Sequence, residues 1–310
     1  MITRFDIEEA AARIAPHIRE TPVRALPACA AGLDHPVQLK LELEQRSGSF
    51  KARGAFNSLL SADVPPAGVA ASSGGNHGAA ISCAAQTLGH QARIFVPEAF
   101  VNRVKIARIR SYYADVVTVP GPFSAALAAQ NEYAAKNGAI TVHPYDQPST
   151  LAGQGTLGRE LEAQDAGLDV LLVAVGGGGL IGGIAAWYQD RIRIIAVETE
   201  GTATLASALS GGNAGGYAAS GIAIGSLGAP DIGTLPFSIL KDRLAGNVTV
   251  TDVDVIKAQR RLWDATGLVA EPGGVVALAA LTSGRWRPQD GQRVGVVICG
   301  SNAAPDWFRD

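Results

Sequence analysis

Val37, Leu39, Leu41 and Leu43 alternate with Gln38, Lys40 and Glu42, the two-residue period of a strand with one buried face. Ahead of it, Asp6 with Glu9 three residues on gives a loose capping-box start for an opening helix. After it the period changes, and Ala55, Phe56, Leu59 and Leu60 fall at helical spacing. From residue 69 onward, short apolar runs alternate with Ala-rich stretches that read as helices. Strands are predicted at 69–72, 93–96, 115–119 and 140–143, and again near 170–175, 193–197 and 294–299. Thr251 and Asp254 open a further helix that runs through Trp263. Residues 210–236 are rich in Gly and Ala with no period, which fits a long surface connection or a functional loop beside a site.

Repeated strand–helix units predict an α/β fold: two parallel or mostly parallel twisted sheets with flanking helices. The most economical division inserts a small domain, residues 66–145, in a larger one made of residues 1–65 and 146–310. One uncharged stretch, 170–189, is long enough to suggest a membrane span. Six glycines interrupt it, so it reads instead as buried strand, loop and helix start. Arg4, Asp6, Glu8 and Glu9 leave no room for a long apolar leader at the N-terminus.

Composition narrows the function classes. The 310 residues are 47% hydrophobic and 17% charged, enough for a large core in one or two domains. With 26 basic and 28 acidic residues the net charge is −2, so no basic excess points to nucleic acid or a membrane surface. Cys29, Cys83 and Cys299 fit no disulfide framework and no metal-ligand spacing, and a reduced, cytoplasmic setting is expected. His17, His35, His90 and His143 form no cluster, and no metal is expected.

Four patches carry candidate chemistry. In Ser47-Gly48-Ser49-Phe50-Lys51-Ala52-Arg53-Gly54, Lys51 follows an apolar residue at a strand-to-helix junction. A desolvated amine there has a lowered pKa, and a neutral amine is what a Schiff base needs. In Ser72-Ser73-Gly74-Gly75-Asn76-His77-Gly78, the loop between strand and helix is either an ordinary turn or a nest of donors for a carboxylate. Gly176, Gly177, Gly178 and Gly179 follow a buried strand and open a helix, where unobstructed N–H groups bind phosphate. Gly177-x-Gly179-x-x-Gly182 also fits the dinucleotide fingerprint, with Glu198 near the end of the next strand as the ribose-binding acid. That spacing keeps a dinucleotide-binding oxidoreductase open as an alternative. Cys299 ends an apolar run and precedes Gly300-Ser301-Asn302; a buried core thiol is its plainest reading.

Together and in this order, the four patches resemble the pyridoxal-phosphate enzymes of the tryptophan-synthase β fold (fold type II), and within them the serine/threonine dehydratases. The resemblance runs over nearly the whole chain. It implies that Lys51 binds pyridoxal 5'-phosphate as a Schiff base and later acts as the general base, with Phe50 against one face of the ring. It implies that Asn76 contacts the cofactor's 3-oxygen, that Ser73, Gly75, Asn76 and His77 form the substrate-carboxylate loop, and that Gly176–Gly179 hold the phosphate. His77 equally fits a packing role behind that loop. By the same resemblance Cys299 would face the ring nitrogen, and Glu271, in Ala-Glu-Pro-Gly-Gly, would lie near the cofactor. The implied reaction is loss of water from a 3-hydroxy amino acid, L-serine or L-threonine first, giving a 2-oxo acid and ammonia, with the cofactor phosphate protonating the leaving hydroxyl. An uncharged Cys299 leaves the ring a weak electron sink, which suits elimination better than transamination. A homodimer is the implied assembly. A fold-type-II lyase or β-replacement enzyme for another 3-substituted amino acid, such as hydroxyaspartate, is the nearest alternative.

Three positions depart from the family pattern. Gly74 stands where serine-racemising relatives carry a serine, which predicts no appreciable racemase activity. Glu198 matches a metal-ligating glutamate of those relatives, but their aspartate six residues on is Thr204 here, and hard cations need several oxygens. In the loop from Ser220 to Gly228, Ile224 and Gly225 stand where relatives usually carry an acidic residue or alanine, a change that fits either an altered substrate or drift.

Overall fold

The computed structural model describes residues 2–211 and 216–303. In chain order the strands are β1 (Val23–Leu26), β2 (Val37–Lys40), β3 (Val69–Ser72), β4 (Ala92–Pro97), β5 (Asp115–Val119), β6 (Ile140–Thr141), β7 (Val170–Ala174), β8 (Arg193–Thr199), β9 (Leu244–Val250) and β10 (Val294–Val297). They form a six-stranded sheet in the order β1-β2-β10-β7-β8-β9 and a four-stranded sheet in the order β5-β4-β3-β6. β1 lies antiparallel to β2, and the other pairs in both sheets are parallel. β7 and β10, at the centre of the larger sheet, are buried along their whole length. That is why they read as continuous apolar runs: helices cover both faces of a parallel sheet.

Each predicted strand is present, with changed ends that have physical causes. β2 stops at Lys40 rather than Leu43, and residues 42–44 form a single tight 3-10 turn that carries Glu42 into the interior. The strand predicted at 140–143 keeps only two residues, since the chain turns at His143. β10 ends at Val297, so Cys299 lies beyond the strand in the chain that crosses to Ser49. The opening helix, Arg4–Ile14, starts before Asp6: Thr3 is its N-cap, and Asp6 rather than Glu9 completes the capping box. The helix opened by Thr251 runs Asp252–Thr266, with Asp254 closing the box as the sequence indicates. Within 210–236, Ser210 and Gly211 end the helix Thr204–Gly211, Ile224–Leu227 and the start of Thr234–Leu240 are helical, and 212–215 lie outside the described residues. No described helix is long and apolar enough to cross a membrane.

The helix Lys51–Leu60 ties the two sheets together. It follows β2 of the larger sheet, yet Ala52, Ala55, Phe56 and Leu59 pack with Val69, Ala71 and Ile94 of the smaller one and with Ile81 of the helix Asn76–Leu88. Its Arg53 points the other way, fully buried, into a charged cluster. The guanidinium donates to Glu42 Oε2 at 2.8 Å and Oε1 at 2.7 Å, and to Glu160 Oε2 and Oε1 at 2.9 Å each. Lys40 Nζ joins it, donating to Glu160 Oε1, Gln164 Oε1 and the Thr21 carbonyl. Burial alone would raise the Glu160 carboxyl, but Arg53 and Lys40 hold it below its usual range.

Such a cluster costs little only while every partner is present, because a single buried charge left alone is expensive. Replacing Arg53 with Leu strands Glu42 opposite Glu160. Arg53→Leu is expected to lose about 3–5 kcal/mol of stability, seen as a lower urea midpoint; a loss under about 1 kcal/mol would mean the cluster is not what fixes the helix.

Candidate active site

The carboxyl ends of β3, β7 and β10 converge, the place where parallel sheets present loops and helix N-termini to a ligand. Each of the four sequence patches sits at one of these ends or at the junction beside them.

Lys51 is the first residue of its helix. The sequence suggests that it directly follows a strand, but two 3-10 turns, Glu42–Glu44 and Arg46–Gly48, come between. This approach is stapled to the chain beyond β10: Ser49 bridges Gly300, the Phe50 N–H donates to the Cys299 carbonyl at 3.2 Å, and the Ser301 N–H donates to Gly48 O at 2.9 Å. Lysine and cysteine are thereby held in one small space. Lys51 Nζ donates to the Pro144 carbonyl at 2.6 Å and lies 5.2 Å from the centre of the Phe50 ring. Burial lowers the amine from 10.5 to about 8, with Cys299 pulling weakly the other way. The Cys299 thiol, buried and donating to Gly273 O at 3.3 Å, is pushed well above the usual thiol range by burial and then by Glu271. It is an uncharged group at neutral pH.

The glycine loop lies between β7 and the helix Gly179–Tyr188. Gly178 caps that helix at φ 87°, a left-handed conformation that favours glycine. A Cβ on Gly177 would run into the Tyr145 ring, and one on Gly179 would press on the Tyr145 backbone. Tyr145 therefore closes one side of the loop, directly after the Pro144 carbonyl that holds Lys51. The first N–H groups of any helix lack intrahelical acceptors, and here the glycines have no side chains of their own to shield them.

At the end of β3, Ser73 Oγ accepts from the Gly75 N–H at 3.2 Å, and the helix Asn76–Leu88 begins. Asn76 is nearly fully buried. Its Nδ2 donates to Glu271 Oε1, and its Oδ1 accepts from Asn302 Nδ2 at 2.9 Å. Asn302 Nδ2 also donates to Ser47 O at 2.6 Å, so residues from three distant patches meet on one amide. His77 is buried, with Nε2 donating to the Val142 carbonyl at 2.9 Å. Burial, then the Lys51 charge, pushes its ring down to about 3, so it is neutral.

Sequence reasoning missed Asn302, Tyr145 and Lys105. Asn302 stood inside a quoted patch, but its partner Asn76 lies in another. Tyr145 and Lys105 left no local signal, since each acts on residues distant in the chain: Tyr145 abuts Gly177 and Gly179, and Lys105 Nζ stands 3.8 Å from Glu271 Oε2. Glu198, the dinucleotide reading's ribose ligand, is turned inward: it accepts from the Leu205 and Ala206 N–H groups at 2.7 and 2.9 Å and from Asn247 Nδ2 at 2.9 Å. Burial raises its pKa. Among the described residues no group of three His, Cys, Asp or Glu side chains is placed to hold a metal.

Comparison with known proteins fits this geometry. Residues 14–300 match the family described as pyridoxal-phosphate dependent enzyme. Serine racemase of Arabidopsis thaliana is 31% identical over 307 residues, covering 96% of this chain and 92% of that protein. L-threonine ammonia-lyase of Thermotoga maritima is 31% identical over 307 residues, covering 97% of this chain and 76% of that one. The structure of maize serine racemase superposes with a TM-score of 0.90 at 28% identity, covering 99% of this chain and 95% of that chain. The chain belongs to the pyridoxal-phosphate dependent enzymes of fold type II. Its cofactor is pyridoxal phosphate, and its substrate is an amino acid.

The amine at the heart of the site gives a pH test. In apoenzyme the rate of cofactor capture is expected to rise with pH through a midpoint near 8, since only the neutral amine attacks an aldehyde. A midpoint close to 10.5 would show that residue 51 is solvated like an ordinary lysine.

Proposed function

We propose that this enzyme eliminates water from a 3-hydroxy amino acid, L-serine or L-threonine first, to give a 2-oxo acid and ammonia. The observation that carries the reading is the pairing of a half-buried, low-pKa Lys51 with an uncharged Cys299 in a site whose Gly74 has no side chain.

The residues present fit pyridoxal phosphate. The glycine loop packs so closely on Tyr145, Leu227 and Ile232 that no side chain fits there, which leaves bare backbone at the helix start, and the buried Ser49 and Ser72 hydroxyls have no partner among the described residues. Lys51 would hold the aldehyde carbon, the N–H groups of Gly176–Gly179 the phosphate, Phe50 one face of the ring, Asn76 the 3-oxygen and Cys299 the ring nitrogen. When bound, the cofactor supplies the electron sink. The protein supplies orientation and proton transfer. N–H groups at the start of the helix Asn76–Leu88, with Ser73 and Gly75, receive the substrate carboxylate. The Lys51 amine would take the Cα proton, and its lowered pKa suits a base working near neutrality. We assign His77 a supporting role, since its Nε2 is committed to Val142 and its ring is neutral.

Racemisation is the second reading, because relatives with that name match as well as the ammonia-lyase does. It needs a proton donor on the opposite face from Lys51. Gly74 offers none, and a Cβ built there would meet Val96 Cγ1 at 2.8 Å and Phe100 O at 3.1 Å, facing β4. Elimination is therefore favoured. We also take residues 66–145 as the inserted small domain, with the helix Lys51–Leu60 lending it apolar side chains, and the working assembly as a homodimer.

Purified holoenzyme incubated with L-serine, L-threonine and L-threo-3-hydroxyaspartate is expected to release 2-oxo acid from at least one of them, with little D-serine. Lys51→Ala should cut the rate by about a thousandfold or more. Conversion of L-serine to D-serine at a rate matching elimination would overturn the choice of reaction.

A further inference from the structure

We infer that Glu271 is a positioning residue acting through Asn76, and that Lys105, reaching across the cleft from the helix Arg103–Arg110, is the counter-charge that keeps it ionised. This rests on the identity of the cofactor and not on which reaction the enzyme catalyses.

Glu271 caps the helix Pro272–Thr282 and is 1% exposed. Its Oε1 accepts from Asn76 Nδ2, while Asn302 Nδ2 donates to Asn76 Oδ1. The two partners oppose any exchange of the amide's oxygen and nitrogen. A flipped Asn76 would face an amine with an amine and a carboxylate with a carbonyl. With one Nδ2 hydrogen spent on Glu271, the other is left free at a fixed angle. That free hydrogen is what an anionic ring oxygen can use.

The arrangement works only while Glu271 is a carboxylate. A protonated carboxyl can present its hydroxyl to Asn76 and accept the flipped amide. Burial favours the protonated form and raises this pKa; Lys105 and the Asn76 hydrogen bond oppose it. Glu271 Oε2 is buried and accepts no hydrogen bond among the described residues. Lys105 Nζ stands 3.8 Å from it and donates to the Gly225 carbonyl at 2.9 Å. The remaining ionisable groups on this side are the neutral Cys299 thiol and, beside it, Lys51. Lys105 thus links the small sheet's flank, the loop carrying Gly225, and the carboxylate behind Asn76.

The test is titration of apoenzyme with pyridoxal phosphate, followed by absorbance, from mildly acidic to mildly alkaline pH. Glu271→Gln keeps an acceptor oxygen but removes the charge; it should bind about tenfold more weakly than wild type across the range. Lys105→Met should be similarly weakened near neutrality and recover towards wild type as pH rises, because the carboxyl, now without its counter-charge, ionises later. The double variant should match Glu271→Gln alone. A merely structural role would lower the apoenzyme melting temperature without this pH pattern. Wild-type affinity in Glu271→Gln, additive losses in the double variant, or a pH-independent deficit in Lys105→Met would each overturn the inference.

Discussion

A buried lysine amine becomes a nucleophile and a base near neutral pH because water there cannot stabilise its charge. The structure around residue 51 is organised to meet that condition. Lys51 opens a helix whose apolar face belongs to the small sheet's core and whose Arg53 is anchored beneath the large sheet. Neither sheet alone would bury it. The joint between them does, and it also brings the Pro144 carbonyl to the amine. Removing water is thus a consequence of how the two halves meet, and the lowered pKa follows from it.

The same joint explains why the frame around Lys51 has so little freedom. Arg53 fills a fully buried site with two carboxylates, and a Cβ on Gly54 would press on Gln154 and the Thr150 backbone of the neighbouring helix. Serine, lysine, arginine and glycine in that frame therefore serve different ends. One set meets the ligand space; the other fixes the helix that presents it. Across the cleft, the amide of Asn76 ties the ends of β3 and β10 to the turn before Lys51 through Asn302 and Ser47. The site is a web of main-chain and amide contacts more than a cluster of charged side chains. That agrees with a protein that leaves the electron chemistry to its cofactor.

Much of this was legible in the sequence because the signals were local. Each β-run followed by a glycine-rich loop and an Ala-rich helix became a strand–helix unit, and β3 and β5 have the predicted bounds. The capping box at Thr251 and Asp254 was equally readable. What escaped notice was long-range. β1 and β9 are short or half-exposed edge strands without clean alternation, so their pairing is decided by neighbours. Leu41 and Leu43 continued the strand pattern, yet the chain turns there because Glu42 is drawn to Arg53. Tyr145, Lys105 and Asn302 matter through residues far away in the chain, which no window of sequence displays. Resemblance to a known family supplied what the physical reading left open, above all the choice of phosphate over dinucleotide at the glycine loop. The inward-facing Glu198 supports that choice independently.

The central claim is that a single side chain, Lys51, joins covalently to the cofactor's aldehyde. Reducing fully loaded enzyme with borohydride, digesting it and mapping the peptides by mass reads this directly. The account predicts one stable phosphopyridoxyl adduct, on residue 51. An unmodified residue 51 in loaded enzyme, or an adduct on another lysine, would contradict it.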